Sequence, residues 1–100
     1  MFKSISEPDW KLFRNLREVA LERLCQQVIE QIQATAGSSQ SYHERYLAIY
    51  AFVQERDKQI ADTFDSLSRS TALMSLVTMR SLDLVSDSEL VAFSNETSRL

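Results

Sequence analysis

The chain has a single glycine, Gly37, and a single proline, Pro8. It also has one cysteine, Cys25, one histidine, His43, and one tryptophan, Trp10, in 100 residues. Each scarcity excludes something. One glycine leaves no glycine-rich loop to cradle a phosphate. One cysteine cannot close an internal disulfide, so nothing argues for an oxidising compartment. The lone histidine has Gln40 three residues before it, not the glutamate of the Glu-x-x-His pairs with which helical bundles hold metals. The most apolar stretch, STALMSLVTMRSLDLV from Ser70 to Val85, is broken by Ser75, Thr78 and Arg80 before it reaches membrane-spanning length. The opening MFKSISEPDW lacks the apolar run of a secretory signal, so a cytoplasmic protein is expected. Eleven basic and 14 acidic residues leave a net charge of -3, which gives no electrostatic case for a nucleic-acid or anionic-membrane partner.

What the chain does have is helix. Ala, Leu, Glu, Gln, Arg and Ser dominate, and almost nothing punctuates them. Ser6 can cap a first helix, with Pro8 and Asp9 in its first turn and Ile5 and Trp10 at staple positions. Trp10, Phe13, Leu16, Ala20, Leu21, Leu24, Val28 and Ile32 then recur at spacings of three and four, predicting a helix over about 7–36 that ends at Gly37. Residues 37–41 are the loop. Ser41 and Glu44 form a capping-box pattern, and Tyr46, Val53, Ile60, Leu67 and Met74 repeat at sevens, predicting a second helix over about 42–82. Its weakest point is 65–71, where short hydroxyl side chains compete for backbone hydrogen bonds and can kink it near 66–70. Ser86 and Glu89 repeat the capping pattern, with Val85 and Leu90 as staple, and start a short third helix over about 87–93. Residues 95–100 read as a frayed tail. The fold expected is a single all-α domain, a long antiparallel helical hairpin with a short C-terminal helix.

Pairing symmetric about Ser39 makes the numbers of facing residues sum to about 78, as for an antiparallel helix pair. Arg56, which intrudes on the apolar seam, then falls close to Glu22 or Glu18, and an Arg56 to Glu22 ion pair is expected, since an unpaired charge there is costly. A first helix of about 44 Å and a second of about 60 Å leave three turns overhanging. Those turns carry Leu73, Met74, Leu76, Val77, Met79 and Leu82, an apolar surface that predicts an interface. The economical solution is a homodimer in which two hairpins complete a four-helix bundle.

Chemistry-bearing alternatives are weaker. Glu18 with Glu22, and Asp57 with Asp62 and Asp65, fit a solvated surface better than a metal site. His43 fits an exposed or capping residue, and Cys25 a small buried hydrophobe. Tyr42, Tyr46, Tyr50 and Trp10 have the helical spacing of core or interface side chains. Arg69 and Arg80, among the hydroxyls of 66–78, form a candidate anion site, against which stands pairing of the arginines with Asp83, Asp87 or Glu89. A catalytic pocket would need a polar cavity lined by Arg56, Tyr50 and carboxylates. No cofactor is implied. The reading is a non-enzymatic assembly module that self-associates; the alternative is a small adaptor that binds a different protein through the apolar 72–85 surface.

Overall fold

A computed structural model describes residues 5–65 and 67–93; the expected tail at 95–100 lies outside them. The described residues are all-α. Helix α1 spans Glu7–Ala36, α2 Tyr42–Phe64, α3 Ala72–Ser81 and α4 Asp87–Leu90. The caps are those the sequence predicts. Ser6 Oγ accepts from the Asp9 amide, Ser41 Oγ from the Glu44 amide, and Ser86 with Glu89 closes a reciprocal capping box. Helix α4 is a single turn, shorter than the expected 87–93.

The long hairpin forms, in nearly the expected register. At one end Arg45 donates to the Ala36 carbonyl, and at the other Arg17 donates to the Phe64 carbonyl. Facing residues thus sum to about 81, within a turn of the expected value.

The second helix does not run on to 82. It stops at Phe64, and the chain reverses through 65–71 before α3. Hydroxyls offer the break. Ser68 Oγ accepts from the Thr71 amide at 3.3 Å, and Thr71 Oγ1 donates back to the Ser68 carbonyl at 3.3 Å, giving the backbone the local alternative that short polar side chains offer. Burial drives it as well, because α3 folds back to enclose side chains that a straight helix would hold out in water. Arg69 pins the reversal to the N-terminus, donating to Glu7 at 2.8 Å and to the Ile5 carbonyl at 3.1 Å.

The core therefore sits at one end of the molecule. Ile5, Phe13, Leu16, Ala20 and Leu24 meet Phe64, Ala72, Leu76, Met79, Leu84, Val85, Leu90 and Phe93 there. Helix α3 ends on Asp83 at φ 60°, with the Leu84 amide bonded to the Met79 carbonyl and the Asp83 amide to the Arg80 carbonyl. This is the Schellman closure usually given to glycine, followed here by the fully buried Leu84. Gly37, by contrast, sits at φ -88° and uses no left-handed geometry.

Candidate functional site

With α3 folded back, the predicted overhang is absent. Leu76 and Met79 have 0% of their surface exposed, and Leu73 and Leu82 are half-buried against the core; of the six residues expected to form the interface only Met74 and Val77 are exposed. The expected Arg56 to Glu22 pair does not form either. In the observed register Arg56 lies level with Cys25, a turn from Glu22. It donates to Gln59 at 2.5 Å, with its guanidinium 5.3 Å from the Phe52 ring centroid. The two anion-site candidates are matched by carboxylates: Arg69 by Glu7, and Arg80 by Asp87 at 3.2 Å. His43 is exposed in the first turn of α2, and Cys25 is half-buried. Among the described residues no group of three or more His, Cys, Asp or Glu side chains could hold a metal ion, and no helix is long and apolar enough to cross a membrane.

The apolar surface lies at the other end. None of the residues from Cys25 to Asp62 is buried, although this arm of the hairpin carries Val28, Ile29, Ile32, Tyr42, Tyr46, Leu47, Ile49, Tyr50, Phe52 and Val53. On α2, Tyr42, Tyr46, Ile49, Val53, Arg56 and Ile60 alternate spacings of four and three, the heptad periodicity of a helix that packs along a seam. Ile49 and Phe52 turn towards α1, and the flank beside them stays in water: Tyr42 is 84% exposed, Tyr46 63% and Tyr50 54%. Helical rotation brings Cys25, Ile29 and Ala36 of α1 to the same flank. At the tip the two helices meet in a shallow groove of about 340 Å³ lined by Ala36, Tyr42, Arg45, Tyr46 and Ile49.

The surface is partly ordered by its own contacts. The Tyr46 and Tyr50 rings stack at 6.3 Å, Gln54 donates to the Tyr50 hydroxyl at 3.0 Å, and the Arg45 guanidinium lies 4.2 Å from the Tyr42 ring centroid. Its chemistry is apolar with a charged border. Arg45 stands at the tip end, and Glu22 and Asp57 stand at the core end beside Arg56, which is turned onto Gln59 and the Phe52 ring. Among the described residues none of these four charges has an ion-pair partner.

A second groove, of about 290 Å³, lies over the core between Leu12, Leu16 and Val19 of α1 and Glu89, Ala92 and Phe93. Its one charge, Glu89, is already held by Arg23, at 2.7 and 2.9 Å. That guanidinium brings the Glu89 carboxyl from 4.5 down to about 2, with the Ser86 amide adding to the effect.

Compared with known protein families, curated proteins and solved structures, the chain matches none. The tyrosine-lined arm is legible in the sequence only as helical periodicity. That this end of the hairpin stays in water depends on the break at 65–71, since that break draws the core to the opposite end.

Proposed function

We propose that this protein is a non-enzymatic helical assembly module that self-associates through the arm of its hairpin, two copies completing a four-helix bundle. One observation carries the reading: the two-helix arm holds the ten apolar or aromatic side chains named above, from Val28 to Val53, and buries none of them. Two helices alone cannot enclose a core, and a contiguous apolar face of this kind on a single chain marks an interaction surface. A second identical arm supplies two more helices of matching length and periodicity under the twofold symmetry most homo-oligomers use. Over 72–85 only Met74 and Val77 of the six expected interface residues stay exposed, which favours the arm over the adaptor alternative. Light scattering over a concentration series tests the reading: the chain is expected at the mass of a dimer, and Tyr46→Glu is expected to give a monomer with unchanged helical circular dichroism. A monomer at every concentration for the unaltered chain rejects it.

A further inference from the structure

We propose, resting on the self-association reading above, that the occupant of the arm is a second copy lying antiparallel, tip against core end, and that charge selects this orientation. The border of the apolar flank is polarised along its length in net charge: Arg45 at the tip stands against Glu22 and Asp57 at the core end, where the one cation, Arg56, is held on Gln59 and Phe52. Arg45 is level with Ala36, to whose carbonyl it donates at 2.6 Å. Asp57, by the same register, is level with Leu24 and Cys25, about 18 Å further down the helix axis. Glu22 lies within about a turn of it. The midpoint falls beside Ile29 and Tyr50, at the centre of the exposed flank.

A twofold axis through that midpoint and perpendicular to the arm carries Arg45 of one copy to the height of Asp57 of the other, twice by symmetry. Tyr46 then meets the level of Cys25 and Arg56, Val53 that of Ile49, and Tyr50 meets its own copy. A parallel pairing, with the twofold along the arm, brings Arg45 onto Arg45 and Asp57 onto Asp57. Like charges facing one another at a desolvated border are unfavourable, so the same charges that favour one orientation penalise the other. Arg45 is ready for the contact, since its backbone-carbonyl partners, Ala36 and Ser41, leave its charge without a counter-ion among the described residues.

The test is a charge swap between copies, read by sedimentation or light scattering on the full chain. Arg45→Glu and Asp57→Arg are each expected to weaken self-association at least about tenfold, because each homodimer then faces two like-charge contacts. Mixing the two variants is expected to yield a heterodimer of about the unaltered affinity. In that pair the introduced carboxylate of one copy meets the introduced guanidinium of the other, and the remaining Arg45 meets the remaining Asp57. Circular dichroism of each variant shows whether it is folded, and rescue on mixing separates a border effect from damage to the Arg45 cap. If the unaltered chain dimerises and both single variants dimerise as well as it does, or if mixing restores nothing, the antiparallel pairing is overturned while self-association stands. If the unaltered chain never dimerises, the parent reading falls and this one with it.

Discussion

Four arginines each reach a backbone carbonyl at the end of an element. Arg45 meets Ala36 at the end of α1, Arg17 meets Phe64 at the end of α2, Arg23 meets Leu84 after α3 at 2.8 Å, and Arg69 meets Ile5 before α1. In a chain with one glycine and one proline, guanidinium forks tie elements together: Arg45 and Arg17 satisfy carbonyls that the ends of α1 and α2 leave open, and Arg23 and Arg69 hold the segments after α3 and before α1. Spacing alone reveals none of this, because a surface arginine and one that spans two elements look the same in a periodic pattern. The Arg23 to Glu89 contact is open to a pH test. The folded carboxyl, at about 2, holds its proton less readily than the unfolded one, at 4.5. Its stabilisation is therefore complete above pH 4.5 and is lost as the pH falls towards 2. Glu89→Gln is expected to lower stability at pH 7 by about 1 kcal/mol, given the solvent exposure of Arg23, and to flatten the pH dependence in that window, as measured by urea unfolding.

At the scale of elements, caps and seams are readable in the sequence, and the course of the chain between them is not. Ser6, Ser41 and Ser86 each accept from the amide three residues on, because that chemistry is local and complete in four residues. The end of α2 is not fixed locally. Ser68 and Thr71 offer a break, but whether it is taken depends on the burial gained when Leu76 and Met79 reach α1, a long-range quantity that no periodicity expresses. The conformations at the ends of α1 and α3 also depart from the residue pattern: the glycine sits at ordinary φ, and an aspartate takes the left-handed place. Gly37→Ala is accordingly expected to raise stability by about 0.5 kcal/mol, since the added Cβ meets only ordinary contacts, 3.4 Å from the Gln33 carbonyl. Asp83→Ala is expected to lower it by about 1 kcal/mol. Denaturation midpoints at unchanged slope decide both.

As a whole the molecule is a rod, 51 Å by 25 Å by 18 Å, with the enclosed side chains of the described residues gathered at one end. The sequence points to an apolar surface in excess of what one copy can cover, and it misplaces that surface because 42–82 reads as a single helix. Helix α1 runs the whole way from the core out into the arm. Its Phe13 to Leu24 half and its Ile29 to Ala36 half belong to one hydrogen-bonded ladder, yet only the first is anchored by buried packing. Amide protons along this single helix are therefore expected to exchange with deuterium at graded rates, slow near Phe13 and fast near Ala36, because local opening follows local packing. If the arm self-associates as proposed, dilution is expected to speed exchange over 29–36 and 42–53 and leave 13–24 as it was. One helix would then report two different free energies of opening, one set by its own fold and the other by how many neighbours it has.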